Sequence, residues 1–399
     1  MSEDDKGNTC CCETDRDSQA VEFQVHCCKG LQGLLELESQ WRELEKRVPA
    51  WYFCHTFDWY RAALSAGVLE ESATYFFTVR SGTRTCLLVP LQWRVRHFSG
   101  MRLRCWEIPQ HPHLPLSAAL MDSAQGAAAL AYLLGWLRCA APRDWDCLHF
   151  PRQPSETACR ASLRPAGVVR ERFRNKYLAC ATQQGDVVSR QLRRAFARLE
   201  QDGAVELVEA RHDIALETAF VQFLQLERDG WKGRRGSAIA QHAELIGFYR
   251  RLIALGTEAS PLRANATLLP VIYLLRQAGR PIAAVFAVQG ASTCYLLKIA
   301  WARRARAGSP GKVLIELIRQ QWCRGHPGRE LNFVTGVTWV EGWSPDSRPV
   351  LSRRWFNTTL RGRLAWLLMK SRQVLADLVP RLRGRSAARV GTSTPKSGA

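Results

Sequence analysis

The sequence has no hydrophobic run long enough to cross a membrane. Its longest apolar stretch, AALAYLLGWL at residues 128–137, is about half of the ~20 residues that a membrane-spanning helix needs. The first residues, MSEDDKGNTCCCETDRDSQ, are acidic and polar and lack the basic and apolar segments of a secretion signal. These absences predict a cytoplasmic protein. Peripheral association with the inner membrane is the alternative that they leave open.

Acidic residues are scarce relative to basic ones. The chain has 36 Asp and Glu against 56 Lys and Arg, which gives a formal net charge of +20. Such an excess favours an anionic partner: nucleic acid, an anionic membrane surface or a phosphorylated cofactor. Charge alone does not choose among the three. At 399 residues and 46% hydrophobic content, the chain is long enough for two folded domains.

Cysteines at the spacing of a zinc site are also missing, although the chain has 14 cysteines. The clusters at residues 10–12 and 27–28 lack the intervening residues that let two thiolates face one metal ion. His111 and His113 are separated by a proline and have no third ligand nearby, which favours a turn. We therefore predict no metal cofactor, and reduced cysteines that are mostly buried.

Hydrophobic periodicity predicts the same α/β order of elements twice along the chain. The first set runs from the strand VEFQVHC through helices and three further strands to a helix at 127–138 and the strand DWDCLHF. The second set begins at AVELVEA and ends at ELNFV. An amphipathic helix in DVVSRQLRRAFARLEQDG connects them. This order predicts an α/β (α+β) fold of two tandem domains, each a mixed, mostly antiparallel sheet flanked by helices.

The domain boundaries follow from that order and from composition. We predict a disordered N-terminus at 1–20, an N-terminal domain at 21–185, a C-terminal domain at 186–380 and a disordered basic tail at 381–399.

The stretch RARAGSPGKVLIELIRQ, residues 304–320, predicts a helix that begins at Pro310 with Ser309 at the N-cap. A helix start exposes unpaired N–H groups, and Gly308 and Gly311 let the backbone approach an anion closely. The cationic side chains beside it are Arg304, Arg306 and Lys312. Ordinary helix capping explains the same residues, whereas the spacing excludes a Walker-type nucleotide loop.

A second stretch, FLQLERDGWKGRRGSA at residues 223–238, predicts a helix that ends at Gly230 and is followed by a tight, basic and aromatic turn. As structure alone, this is a helix C-cap with an anchoring tryptophan. As part of a site, Trp231 and Lys232 on a glycine-flanked loop are suited to form the wall of a ligand cleft.

Six motifs follow one another in order: LERDGWKGRRGSA, FYRRLIALG, GRPIAAVFAV, YLLKIAW, SPGKVLIELI and NFVTG. Together they resemble the CelD-like acetyltransferases associated with cellulose biosynthesis, members of the GNAT superfamily related to FemAB aminoacyltransferases. The resemblance covers about residues 186–345. It implies tandem GNAT-like domains with Ser309-Pro310-Gly311 at the acyl-CoA pyrophosphate. In that chemistry, backbone N–H groups of a splayed strand polarise the thioester carbonyl, and a general base removes the acceptor's proton.

The resemblance also nominates site residues, each of which has a structural alternative such as packing or an exposed position. The catalytic candidates are Lys298, Asn332 and Glu341. The acceptor-site candidates are Glu227, Asp229, Trp231, Lys232 and Tyr295. The chain departs from the family where Lys298 and Ala300 are followed by Trp301-Ala302 rather than Tyr-Asp, where Asn332 replaces Asp, and where Val340-Glu341 replaces Tyr-Lys. A divergent or inactive form is therefore the alternative.

The expected function is an acetyl-CoA-dependent N- or O-acyltransferase that acts on a sugar or small precursor of surface polysaccharide. The alternatives are a FemAB-like aminoacyltransferase that uses charged tRNA, and a non-catalytic basic binding protein of a polysaccharide synthesis complex. No aromatic and basic nucleic-acid motif is present, so tRNA is the only nucleic acid considered. The basic helix LRGRLAWLLMKSRQVLADLV is expected to pack on the second domain, or to contact anionic lipid or the synthase complex.

Overall fold

The computed structural model describes residues 22–48, 52–117, 119–140, 145–155, 167–180, 189–256, 268–290 and 292–390. The predicted disordered N-terminus, the cysteine cluster at 10–12 and the last nine residues of the predicted tail lie outside this part of the chain.

The first half of the chain forms the predicted order of elements. Its strands are β1 (Phe23–Lys29), β2 (Thr74–Ser81), β3 (Arg84–Phe98), β4 (Met101–Glu107), β5 (Leu120–Met121) and β6 (Cys147–Pro154). Its helices are α1 (Gly30–Glu36), α2 (Glu38–Arg47), α3 (Phe57–Ser65) and α4 (Gly126–Ala140). A further strand, β7 (Val168–Ala179), leads to the second half.

The second half repeats that order. Its helices are α5 (Arg190–Gln201), α6 (Asp213–Asp229), α7 (Trp231–Arg234), α8 (Ala243–Ile253), α9 (Pro310–Gly325) and α10 (Leu360–Val390). Its strands are β8 (Val205–Ala210), β9 (Leu269–Gln277), β10 (Arg280–Gln289), β11 (Thr293–Trp301), β12 (Glu330–Asn332) and β13 (Asp346–Phe356). The mixed α/β fold, with a large mixed sheet flanked by helices, is confirmed.

One continuous sheet joins the two halves, in the order β1-β2-β3-β4-β6-β13-β7-β12-β11-β10-β9-β8, with β5 on the side of β3. Two pairs are parallel, β4 with β6 and β11 with β12, and every other pair is antiparallel. Each half therefore contains one parallel pair at corresponding positions.

The halves exchange one strand each. Strand β7 leaves the first half to pair with β12 of the second, and β13 returns from the second half to pair with β6 of the first. The two exchanged strands pair with each other over Asp346–Arg354 and Val168–Tyr177. The sequence pattern predicted neither strand, although the pair is the junction of the sheet.

The cores lie on the two faces of this sheet. Alternate residues of β10 point to opposite faces, so that Phe286 packs with α6 and α8 while Val285 packs with α9. On the α6 side a single core spans both halves, where Trp59 of α3 meets Phe248 of α8 with ring centroids 5.2 Å apart. The two halves are thus held by a shared core as well as by the strand exchange.

Helix α10 packs on strands of both halves. Ala365 is buried against Leu103 of β4 and Phe356 of β13, so the helix contacts the first half as well as the predicted second domain. The helix also continues to Val390, beyond the boundary predicted at residue 380. None of the helices in the described residues is long and apolar enough to span a membrane.

The cysteine prediction is wrong for one pair. Cys180, just after β7, forms a disulfide with Cys323 of α9, with the two Cα atoms 4.8 Å apart. The partners are 143 residues apart in sequence, so no local spacing indicated the bond. Of the free cysteines in the described residues, Cys28, Cys54, Cys86, Cys105, Cys147 and Cys294 are buried as predicted.

Candidate functional site

Strands β11 and β12 diverge soon after they meet. They pair only where Thr293–Tyr295 lie beside Glu330–Asn332, while β11 continues to Trp301 with no neighbouring strand on that side in the described residues. A register shift against β10 leaves Leu297 as an extra residue, which is a β-bulge in β11. The last half of β11 therefore has an open edge.

Backbone groups of β11 point towards this open edge. The Ala302 N–H donates to the Ile282 carbonyl over 2.8 Å, and alternate residues of an antiparallel strand bond to the neighbouring strand. Ile299 and Trp301 accordingly face away from β10. The Ile299 carbonyl confirms this direction, because it accepts a hydrogen bond from Lys232 Nζ at 3.1 Å. The N–H of Ile299 points the same way as its carbonyl, towards the open edge.

Helix α9 begins beside the open edge, with Pro310 at its first position and Ser309 at the N-cap as predicted. Ser309 is left-handed, with φ of 48°, and its hydroxyl makes no capping bond. Its carbonyl accepts the N–H groups of Lys312 and Val313. The side chain of Ser309 is therefore free of the helix, and Gly311 N–H has no acceptor in the described part of the chain.

Two neighbouring cavities that share lining residues lie at this place. A wide cleft of about 450 Å³ runs along the start of α9 and is lined by Ser309, Gly311, Lys312 and Trp339, among others. A narrow cavity of about 120 Å³ continues towards α6 and is lined by Glu227, Lys232, Ala300 and Arg234, among others. The residues that line both are Trp231, Ile299, Trp301 and Arg306.

The predicted anion-binding residues divide into two groups. Arg306, Ser309, Gly311 and Lys312 line the wide cleft. Arg304 instead donates to the Pro281 carbonyl at 3.1 Å.

Gly308 packs under α5 and does not line the cleft. A Cβ at this position would lie 2.3 Å from Leu199 Cδ2. Gly311, in contrast, lines the cleft close to Ile299 of β11. A Cβ added at residue 311 would lie 3.3 Å from Ile299 Cδ1, so the lack of a side chain leaves this space open and lets a ligand approach the backbone closely.

The turn after α6 forms the wall of the narrow cavity. Helix α6 ends at Gly230 as predicted, and the short helix α7 follows. Glu227 is buried, and its carboxylate accepts from Lys232 Nζ at 2.7 Å and from the Ile239 N–H at 2.8 Å. Trp231 is 46% exposed at the rim.

Lys298 lies on the α6 side of β11, near this ion pair. Burial, together with the nearby Lys232 ammonium, lowers its pKa to about 8. The charged form is therefore destabilised, which suits a group that takes up a proton near neutral pH.

Two histidines of the first half also reach this region, and sequence reasoning missed them as part of it. The turn predicted at His111 and His113 is present, but it places His113 Nδ1 2.8 Å from the Tyr249 hydroxyl of α8. Burial, and next the charge of Lys298, lower the pKa of His113 to about 2. His113 is therefore neutral. Its place beside Lys298 follows from its contact with α8 and not from any local sequence pattern.

The other nominated residues lie elsewhere. Asn332 is buried, and its amide donates to Glu330 and accepts from the Val334 N–H at 2.7 Å. Glu341 is exposed and pairs with Lys176. Asp229 is exposed beside Arg228. Tyr295 packs against Tyr52 and Phe53 in the shared core. The structure thus brings Lys298, Lys232 and Glu227 together and leaves these four apart.

Comparison with known proteins agrees with this geometry. Residues 187–339 match the family model of the acetyltransferase (GNAT) domain, so this segment is similar to a GNAT-type acetyltransferase domain. No curated protein sequence matches the chain significantly.

Solved structures share the fold at low identity. The C-terminal domain of a putative lysylphosphatidylglycerol synthetase from Agrobacterium fabrum superposes with a TM-score of 0.52 at 10% identity, covering 85% of this chain and 96% of that one. The crystal structure of FemX superposes with a TM-score of 0.50 at 9% identity, covering 80% of this chain and 95% of that one. At such identity, the likeness concerns the fold alone.

Proposed function

We propose that this protein transfers an acyl group, most simply acetyl, from acyl-CoA to an amine or hydroxyl of a small acceptor. The observation that carries the proposal is the open edge of β11 beside the start of α9, in one cleft. The acceptor we propose is a sugar or another small precursor of surface polysaccharide, as the CelD-like resemblance implies.

The donor end of the cleft is suited to a diphosphate. Gly311 N–H, the unused Ser309 hydroxyl and the positive end of the α9 dipole offer hydrogen bonds and partial positive charge. Arg306 and Lys312 add full charges. The apolar surfaces of Ile299, Trp301 and Trp339 lie beside them and would cover the pantetheine arm. The Ile299 N–H at the open edge would then polarise the thioester carbonyl.

The acceptor would approach from the narrow cavity, on the side of Glu227 and Lys232. Its nitrogen or oxygen attacks the thioester carbon, the carbon–sulfur bond breaks, and CoA leaves with its sulfur electrons. In this proposal Lys298, partly neutral near pH 8, takes the acceptor's proton. Asn332 and Glu341 have no step in this proposal because their side chains are engaged at the strand end and with Lys176.

The proposal is tested by calorimetric titration of acetyl-CoA into the full chain. Gly311→Asp places a carboxylate at the helix start, and Gly311→Ala is the matched control because it adds the same Cβ without the charge. That Cβ meets only the end of a flexible isoleucine side chain at 3.3 Å and the Trp301 ring at 3.5 Å, so both variants are expected to fold.

We expect micromolar binding by the wild type and Gly311→Ala, and at least a tenfold loss in Gly311→Asp. No binding by the wild type would overturn the proposal and favour the alternative of a non-catalytic basic binding protein. Turnover that saturates with charged tRNA, and not with acyl-CoA, would instead assign the aminoacyltransferase alternative.

Contact with an anionic membrane or a synthase complex through α10 completes the proposal. Leu364 and Leu367 are exposed on this helix, at 44% and 52%, beside Arg361 and Arg363. Such a face fits an interfacial helix. Co-sedimentation with anionic vesicles that persists in Leu364→Gln/Leu367→Gln would contradict this contact.

A further inference from the structure

A second polar cavity lies in the first half, far along the sheet from the cleft at α9. It occupies about 240 Å³ where β4 and β6 diverge after pairing over Cys105–Glu107 and Cys147–His149. This is the position that corresponds to the open edge of β11 in the second half. We call it the arginine cavity, because Arg152, Arg172 and Arg354 line it together with His149, Ser352 and Glu107.

Three irregularities of the backbone meet at the arginine cavity. The pairing of β7 with β13 skips Arg172, and the pairing of β6 with β13 is irregular around Ser352. Arg152, between them, has a positive φ of 51°. Bulges redirect side chains, and a non-glycine residue in the left-handed region is sparsely populated and clusters at functional sites. The distortions bring these arginines to one cavity.

Within the described residues, no carboxylate forms an ion pair with Arg152, Arg172 or Arg354. Arg152 and Arg354 are half-buried and Arg172 is exposed, whereas the partly buried Arg42 and Arg104 each have an aspartate. The one acid of the cavity, Glu107, is paired with Arg96, a fourth arginine of the lining, and its charge offsets only part of the effect of burial on Arg354. Burial lowers the pKa of Arg354, and the nearby Arg172 contributes to that shift. Uncompensated charge at a cavity wall is costly without an anion.

The neutral members of the cavity add a specific hydrogen-bonding pattern. His149 Nε2 lies 2.9 Å from Ser352 Oγ, and His149 Nδ1 lies 3.5 Å from Glu107 Oε2. The carboxylate fixes the proton on Nδ1, so the Ser352 hydroxyl donates to Nε2. The lone pairs of Ser352 are then left to accept a hydroxyl from a ligand.

We propose that the arginine cavity binds the phosphate group of a small phosphorylated ligand, at a site separate from the cleft beside α9. Guanidinium groups hold phosphate oxygens in pairs, and a phosphate offers enough oxygens and charge for three of them, whereas a carboxylate offers two oxygens and one charge. Ser352 accepts a hydroxyl of the phosphate or of the group that carries it. This site goes beyond acyl transfer and does not depend on it.

The test measures binding of inorganic phosphate and of glucose 1-phosphate to the full chain, by calorimetry and by the thermal midpoint at matched ionic strength. Succinate is the carboxylate comparison. The variants are Arg354→Gln and Arg172→Gln. Arg172 is the more exposed of the two, so its variant can still be measured if Arg354→Gln folds poorly. Arg170→Gln is the matched control, because Arg170 is exposed on the same strand and does not line the cavity.

We expect saturable binding of one or both phosphates by the wild type and Arg170→Gln, and at least a tenfold weaker affinity in the two cavity variants. Tighter binding of glucose 1-phosphate than of inorganic phosphate would assign a phosphate ester, and the reverse order would assign the free ion. The ligand-free midpoint of Arg354→Gln should rise, because an unpaired charge is removed.

Three results would overturn the proposal. The first is no binding of either phosphate by the wild type, and the second is equal binding by the cavity variants or equal binding of succinate. The third is loss of phosphate binding in Gly311→Asp, which would locate the ion at α9. The acetyl-CoA titration uses variants of Gly311, whereas the phosphate titration uses variants of Arg172 and Arg354. Failure of the proposed acyl transfer can therefore be told apart from failure of the proposed phosphate site.

Discussion

Lys232 folds back on Glu227 so that its Nζ lies 2.7 Å from the buried carboxylate, which is only 2% exposed. The ammonium is the counter-ion that allows a carboxylate to lie in the core. Its second bond, to the Ile299 carbonyl at 3.1 Å, joins the turn after α6 to the open edge of β11. One lysine thus links the stability of the fold to the wall of the proposed acceptor site.

Lys232→Met should therefore destabilise the protein strongly. Removing one partner of a buried ion pair leaves an unpaired charge and costs about 3–5 kcal/mol. Glu227→Gln should cost less, because its amide oxygen still accepts from one of the two donors and the Lys232 ammonium, unlike the carboxylate, is only partly buried. Urea unfolding at neutral pH measures both. Arg234→Met, on an exposed residue of the same short helix, is the control, and an equal midpoint for it and Lys232→Met would contradict the argument.

Lys298 should make stability rise with pH on the alkaline side. Its pKa is lowered to about 8 from the usual 10.5 of a lysine, so between these pH values the unfolded chain binds more protons than the native one. Stability therefore increases with pH through this window. Lys298→Met should remove that rise, and if Lys298 is the base it should also abolish an increase of acetyl transfer through pH 8.

Urea midpoints between pH 7 and 10.5 measure this effect of Lys298. Lys312→Met is the control, because this lysine is exposed at the start of α9 and its loss should leave the pH dependence unchanged. Parallel curves for the wild type and Lys298→Met would count against a buried, destabilised ammonium.

Local pattern accounts for most of the fold and for part of the site. The start of α9 at Pro310 and the end of α6 at Gly230 were predictable because capping chemistry involves residues a few positions apart. Strands β7 and β13 were not, because their partners are about 170 residues away and neither strand has a regular alternation of buried and exposed side chains. Their pairing is a property of the assembled sheet.

The polar neighbours of Lys298 show the same limit. His113 joins the region because its turn docks on Tyr249 of α8 across 136 residues, and no spacing in the sequence indicates that contact. Gly308 is the opposite case. Its position beside a helix start suggested contact with an anion, whereas its neighbour is Leu199 of a helix more than a hundred residues earlier.

Gly308→Ala should therefore destabilise the protein through crowding. The added Cβ would lie 2.3 Å from Leu199 Cδ2, and overpacking of this kind costs about 1–3 kcal/mol. Leu199→Ala alone should also destabilise, by about 2–5 kcal/mol. The double variant should lose less than the sum, because the smaller side chain makes room for the Cβ.

A double-mutant cycle by urea unfolding measures the coupling between Gly308 and Leu199. Gly325→Ala, at a glycine in α9 with open space around it, is the control and should be neutral or slightly stabilising. If the two substitutions changed the free energy of unfolding additively, the contact with Leu199 would not be what excludes a side chain at residue 308.

Buried histidines should make the protein sensitive to acid. Burial lowers the pKa of His55 to about 3, while its Nδ1 accepts the Tyr52 N–H at 3.1 Å. Below the ordinary histidine pKa of 6.5 the unfolded chain therefore binds a proton that the native chain does not. As the pH decreases, stability decreases by up to about 1.4 kcal/mol per pH unit for each such histidine. His113 and His149, with pKa values lowered to about 2 and about 4, act in the same direction.

His55→Asn separates this titration from packing. An amide oxygen can replace Nδ1 as the acceptor for Tyr52, but the side chain no longer titrates. Between about pH 6 and pH 4, the slope of the unfolding free energy against pH should decrease by the amount that corresponds to about one bound proton. This holds even if the variant is less stable at neutral pH. His97→Asn, at an exposed position, should keep the wild-type slope. An unchanged slope in His55→Asn would mean that His55 is protonated in the native state, against its complete burial.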